Sequence, residues 1–270
     1  MDGAQAPAKV KTATESGVRI ITLNDPGTLN AAGLELMRDL SAAVDAAIGD
    51  PAVRAIVITG EGRGFCSGAN LSGRGDGGGG GAVTSNDGPN QALLRTYNPF
   101  VSSIRRSPKP LVAAVNGVAA GVGVSLALAC DLVVAAESSY FLLAFRRIGL
   151  VPDGGATWLL PRLIGKARAM ELMLLGEKLP APTALDWGLI NRCVPDAEVM
   201  PKAMELAIAL ANGPKSLGMT RNLIWEAMDA AWHDQVEAEA YAQGEAGRTE
   251  DSREGVMAFA QKRPAQFKGK

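Results

Sequence analysis

Histidine is nearly missing from this chain: its 270 residues include one, His233, and three cysteines, Cys66, Cys130 and Cys193. Without CxxC or HxxxH spacing a zinc site has no ligand set, and a Ser-His-Asp triad has no suitable base. The cysteines are odd in number and widely spaced, and two lie among apolar residues. They read as buried free thiols in a reducing cytoplasm, not as a disulfide framework. An excess of either charge is also lacking: 27 Lys+Arg against 28 Asp+Glu leave a net charge of −1. That balance offers no broad field for nucleic acid or anionic lipid. Long apolar runs are absent too. The longest, 118–136, is broken by Gly121, Gly123, Ser125 and Asp131, which suits a buried helix leading into a strand and not a membrane span. Residues 1–16 carry no apolar core segment, so they read as a loose tail and not a signal peptide.

What is present is a succession of short apolar runs and helical periodicities. Strands are expected at 18–23, 53–59, 111–115 and 132–135, and helices at 34–48, 98–106, 120–129 and 165–175. Further helices at 182–187, 200–211, 216–228 and 255–261 make the last third almost wholly helical. Short strands followed by helices indicate an α/β fold. With no linker composition anywhere, the chain divides into the tail 1–16, a core 17–198 and a helical region 199–270. Residues 73–90 contain five consecutive glycines from Gly77 and read as a low-complexity, mobile stretch.

Two patterns carry chemistry. Asp153 stands between Pro152 and Gly154-Gly155. Proline fixes φ and glycine permits close backbone approach, so the carboxylate should have a defined position. It can move a proton, attack a carbon, or cap the helix that follows. The second pattern is a pair of glycine-rich turns after strands, Gly60-x-Gly62-x-Gly64 and Gly121-x-Gly123. Neither completes G-x-G-x-x-G, which argues against a dinucleotide site. Both can instead aim backbone N–H groups at one anionic oxygen. Ala69 ends the first loop, and Val122 begins a helix, where unpaired amides and the dipole favour negative charge. Two such donors would form an oxyanion hole for a thioester enolate.

The run Gly64-Phe65-Cys66-Ser67-Gly68-Ala69-Asn70-Leu71 resembles the first oxyanion segment of the crotonase (enoyl-CoA hydratase/isomerase) superfamily. Asn116-Gly117-Val118-Ala119-Ala120-Gly121-Val122-Gly123 resembles the second, followed by Cys130-Asp131-Leu132. The likeness continues through 149–163 and Ala184-Leu185-Asp186-Trp187-Gly188-Leu189-Ile190, and covers nearly the whole chain. It implies a ββα spiral core with a helical C-terminal trimerisation region, a homotrimer or a dimer of trimers, and acyl-coenzyme A substrates. No cofactor is implied beyond the coenzyme A of the substrate, and no metal, nucleic acid or membrane partner.

The resemblance also assigns positions. Hydratases of this superfamily use two glutamates, and the matching residues here are Ser125 and Phe145, neither of which can act as a base for water. Ser125 then simply caps or packs its helix. Asp153 matches the acid/base carboxylate of enoyl-CoA isomerases and 1,2-epoxyphenylacetyl-CoA isomerase. Ala69 and Val122 match the oxyanion amides, with Gly68 and Gly121 beside them at the substrate. Phe259 and Lys262 match positions that meet the coenzyme A of a neighbouring subunit, and Asn70 stands where the family often has aspartate. Arg146 and Arg147 suit either coenzyme A phosphates or surface salt bridges, and His233 reads as a surface helix residue. The expected function is thus a coenzyme A-thioester isomerase working through Asp153. An atypical hydratase, covalent attack by Asp153 as in a dehalogenase, and a non-catalytic binding protein are the alternatives.

Overall fold

The computed structural model describes residues 8–70 and 89–270. The chain opens with strands β1 (Val10–Glu15) and β2 (Val18–Leu23) and helix α1 (Leu34–Gly49). Three units of strand, short strand and helix follow. The first is β3 (Ala55–Gly60), β4 (Gly64–Cys66) and the helices α2 (Pro89–Ala92) and α3 (Asn98–Arg105), which are joined by a π-helical turn, Leu93–Tyr97. The second is β5 (Leu111–Val115), β6 (Val118–Ala120) and α4 (Val122–Ala129). In the third, β7 (Leu132–Ala136) and β8 (Tyr140–Leu142) pass through the 3-10 turn Ala144–Ile148 to α5 (Ala156–Leu175). Then come β9 (Lys178–Pro180), α6 (Ala181–Asp186), β10 (Arg192–Val194), α7 (Val199–Ala211), α8 (Ser216–Ala227), α9 (Trp232–Gly247) and α10 (Glu250–Ala260).

The first strand of every unit joins one sheet, ordered β1-β2-β3-β5-β7-β10. The second strand of every unit joins another, ordered β4-β6-β8-β9. Among the described residues only β1–β2 and β8–β9 pair antiparallel. The expected α/β spiral of ββα units is the observed topology. Its parallel strands are buried along their length, as in Ala55–Gly60 and Leu111–Val115, because both faces of the large sheet are covered. Ala203, Ala207 and Ala211 of α7 pack on Val57, Val112 and Val134 from one side. On the other side lies the main core, which takes in the apolar stripe of α1 and most of α4.

Helix α4 has no polar face. All eight of its residues are buried, as a helix apolar all round requires. This places Ser125, at 0% exposure, inside the molecule.

Several expectations need correction. Residues 10–15 are not part of a loose tail but the edge strand β1, paired residue for residue with β2 across the Ser16-Gly17 turn. Five of its six side chains are exposed, so no apolar alternation announces it. The loop after β3 contains β4, and residues 118–120 are strand, with the helix beginning at Val122. Helix α5 starts at Ala156, earlier than the periodicity indicates, because Gly165 interrupts it with non-helical φ/ψ. The last helix spans Glu250–Ala260 rather than 255–261. Residues 73–88 of the glycine-rich stretch lie outside the described residues. The cysteines are all free thiols, Cys66 and Cys130 buried and Cys193 intermediate. No helix among the described residues is long and apolar enough to cross a membrane.

Candidate active site

Asp153 lies between the 3-10 turn Ala144–Ile148 and α5, where Pro152 and two left-handed glycines turn the chain through Gly154 (φ 59°) and Gly155 (φ 87°). The N-cap of α5 is Gly155, and no side chain caps the helix, so helix capping does not explain the aspartate. The backbone of the residue is tied down. Its carbonyl accepts from the Ala156 N–H at 3.1 Å and from the Ser125 hydroxyl at 2.8 Å. Its carboxylate is not: Oδ1 is buried and has no hydrogen-bond partner. Burial pushes the pKa of Asp153 up to about 6, with no charged neighbour needed. Such a carboxylate is ionised near neutral pH yet ready to take a proton.

The two glycine-rich turns meet beside it. A Cβ on Gly68 would stand 3.0 Å from the Ala120 carbonyl oxygen, and one on Gly121 would stand 3.5 Å from the Gly68 Cα. Both glycines have positive φ (101° and 51°), so only a residue without Cβ lets the turns close on each other. Each turn also fixes the peptide that follows its glycine. The Gly68 carbonyl accepts from the Ala32 N–H at 2.7 Å, and the Gly121 carbonyl from the Val124 N–H at 3.0 Å. A peptide is planar and trans, so its C=O and N–H point opposite ways. Holding the two carbonyls therefore aims the N–H groups of Ala69 and Val122 away from those partners. Among the described residues neither N–H donates to a main-chain oxygen.

Ser125 and Phe145, the positions without the hydratase glutamates, both face this site. Ser125 does not cap α4. Its hydroxyl reaches out of the helix to the Asp153 carbonyl. A Cβ on Gly154 would lie 2.7 Å from the Ser125 Cβ, so the Asp153 turn is pressed against this serine. Phe145 is buried at 6% exposure, and its ring edge lies 3.9 Å from where a Gly121 Cβ would sit. A hydroxyl thus meets the main chain of Asp153, and a benzene ring lies against the Gly121 turn. Trp158 is stacked between the guanidiniums of Arg105 (4.8 Å) and Arg162 (4.1 Å).

Some residues that shape the site went unnoticed in the sequence. The buried Asn30 side chain donates to the carbonyls of Glu61 (3.0 Å) and Gly64 (2.8 Å), and accepts from the Asp25 N–H (2.8 Å). Asn116 donates to the carbonyls of Gly60 and Gly62. Together they hold the loop that leads to Ala69. Their signal was an asparagine beside a turn, at φ 58° for Asn30, a conformation that asparagine tolerates better than most residues. Asp131 of the Cys-Asp pair is a structural tie. It accepts from the Leu111 N–H and from the side chains of Arg221 and Trp225 on α8.

Other expected positions lie elsewhere. Arg146 and Arg147 cap the C-terminus of α5, donating to the carbonyls of Leu174, Leu175 and Gly176 instead of meeting a carboxylate. Phe259 is 87% exposed on α10, so its ring is not brought to the Asp153 turn within its own chain, and Lys262 follows at φ 51°. Asn70 sits against Gly33 at the start of α1, its Cβ 3.5 Å from where a Gly33 Cβ would be. His233 is exposed on α9. Among the described residues no group of three His, Cys, Asp or Glu could hold a metal ion.

A ββα spiral with two glycine turns converging beside a half-buried aspartate defines a crotonase-like protein, and the relatives agree. The family model for Enoyl-CoA hydratase/isomerase matches residues 13–270. The 1,2-epoxyphenylacetyl-CoA isomerase of Escherichia coli (strain K12) is 43% identical over 261 residues, 95% of this chain and 97% of that protein. A Rhodobacter capsulatus protein named "probable enoyl-CoA hydratase" is 43% identical over 257 residues, 94% and 95% of the two chains. The crystal structure of an enoyl-CoA hydratase from Polaromonas sp. JS666 superposes with a TM-score of 0.88 at 35% identity, over 96% of this chain and 99% of that one. The chain belongs to the enoyl-CoA hydratase/isomerase family.

Proposed function

We propose that this protein is an acyl-coenzyme A thioester isomerase in which Asp153 carries one proton between two carbons of the acyl group. The observation that carries the reading is the Asp153 carboxylate, its Oδ1 buried and unpartnered, beside the two aimed amides, with serine and phenylalanine where hydration needs glutamates. The ionised carboxylate takes a C–H proton next to the unsaturated system, and the electron pair moves onto the thioester oxygen. Donors at Ala69 and Val122 hold that oxygen, with Gly68 and Gly121 letting the substrate approach. The protonated Asp153 returns its proton to another carbon and is ionised again. No water enters, and coenzyme A takes part only as the handle of the substrate. A carboxylate raised to about 6 is a stronger base than an ordinary one while remaining ionised near neutral pH. The E. coli relative that bears an isomerase name supports the reading.

The hydratase name of the R. capsulatus relative favours a second reading, water addition with Asp153 as the sole carboxylate. Turnover of a panel of short, long and aromatic enoyl-CoAs, followed by ultraviolet absorbance and mass in oxygen-18 water, separates the two. Isomerisation leaves the mass unchanged; incorporation of the heavy oxygen overturns it. We also propose that the chain works as a homotrimer or a dimer of trimers, which the bare Trp232 (76% exposed), Tyr241 (70%) and Phe259 side chains support. Sedimentation of the purified protein as a monomer would overturn that.

A further inference from the structure

Beside the site one buried ionisable side chain has no task in this chemistry. Tyr97 is 2% exposed and ends the π-helical turn Leu93–Tyr97, in which the Asn98 N–H reaches back to the Leu93 carbonyl. Turns of this kind are rare and recur at functional sites. The Tyr97 hydroxyl donates to the carbonyl of Ala32. Ala32 in turn donates its N–H to the carbonyl of Gly68 at 2.7 Å. Gly68 has φ 101°, so its own backbone preference does little to stop the next peptide from rocking. Ala32 takes up the Gly68 carbonyl, and Tyr97 takes up the carbonyl of Ala32.

We infer that Tyr97 is a positioning residue: by pinning Ala32 it locks the Gly68–Ala69 peptide with the Ala69 N–H turned toward the thioester oxygen. The inference rests on the acyl-CoA reading above and adds to it a residue sixty-five positions away from the one it pins. Burial, and then the negative charge of Asp153, push the Tyr97 pKa up. The hydroxyl therefore keeps its proton, and remains a donor, across the working range.

The test compares wild type, Tyr97→Phe and Asp153→Asn. For each, the carbonyl stretch of a bound thioester is read by difference infrared spectroscopy. The probe is the saturated, carbonyl-carbon-13 homologue of whichever acyl-CoA turns over fastest. In wild type the band moves to lower frequency on binding, because aimed donors polarise the carbonyl. Tyr97→Phe is expected to lose most of that shift and to lower kcat about 10- to 100-fold with KM within about twofold, the size of a small misplacement at a reacting centre. Asp153→Asn is expected to keep the shift while losing turnover. A full shift in Tyr97→Phe, or a change confined to KM, overturns the role of Tyr97 alone. Absence of the shift in wild type overturns the oxyanion reading and this inference with it. Should Tyr97→Phe not fold, 3-fluorotyrosine in place of Tyr97 keeps the shape and strengthens the donor. It should enlarge the shift, and an unchanged band overturns the inference.

Discussion

Asp251 is buried and Asp153 half-buried with its Oδ1 sealed off, and the protein treats the two carboxylates in opposite ways. Asp251, on α10, is 2% exposed. It accepts from the N–H groups of Lys215 (2.9 Å), Lys268 (2.6 Å) and Gly269 (2.8 Å). Burial pushes its pKa up, but the three amides and the charge of Arg54 together outweigh burial and hold the carboxyl below its ordinary range. Asp153 also suffers burial, finds no donor for Oδ1, and is pushed up to about 6. Three main-chain donors at one aspartate show that this fold can satisfy a buried carboxylate. At the other aspartate one carboxylate oxygen is left without a donor, as the proposed proton carrier requires.

That contrast can be broken in order of expected effect. Asp153→Asn should lower isomerisation by about 10²- to 10⁴-fold, the usual worth of a general acid–base group, with acyl-CoA affinity by calorimetry nearly unchanged. Wild-type-like turnover would remove Asp153 from the chemistry. Asp251→Ala strips the partner from three amides and should cost about 3 kcal/mol in chemical denaturation, while kcat per folded molecule stays the same. Ser125→Ala leaves the Asp153 carbonyl with one donor fewer. It should reduce kcat about tenfold, or about 1.4 kcal/mol, and leave acyl-CoA affinity alone.

The smallest effect sharpens the contrast most. The folded pKa of Asp153 lies above its ordinary 3.8, so the folded state binds more protons between there and about 6. Stability is therefore lost as pH rises through that window, and above it the ionised carboxylate is a burden. Asp153→Asn should melt a little higher than wild type near pH 8, and the gap should close near pH 4 by calorimetry. Over the same window kcat/KM of wild type should climb with pH and level off above about 6. Asp251 has the reverse sign: its contribution is present above the ordinary carboxylate pKa and fades only as pH falls through its lowered value.

The parts of the site that are contiguous in sequence were readable there. Pro152-Asp153-Gly154-Gly155 and the two glycine turns announce themselves because their residue types restrict the backbone. The parts that join distant positions were not. Asn30 to Gly64, Asn116 to Gly60, Tyr97 to Ala32 and Ser125 to Asp153 are hydrogen bonds across 34, 56, 65 and 28 positions. Nothing local says which distant partner either end will find. The fold followed the same division. Buried strands such as β5 declared themselves through apolar runs, while β1, an edge strand with polar side chains, showed no such pattern.

The close seat of Gly154 on Ser125 also bears on how such a site changes over generations. A glutamate at position 125 would have to grow into the space where the Asp153 turn already rests. Gaining the first hydratase carboxylate would therefore displace the existing carboxylate before the second, at position 145, could contribute. Position 125 and the Asp153 turn therefore share one volume, and a longer side chain at the first is a change at both. Ser125 and Gly154 are thus coupled positions, and neither can enlarge unless the other gives way.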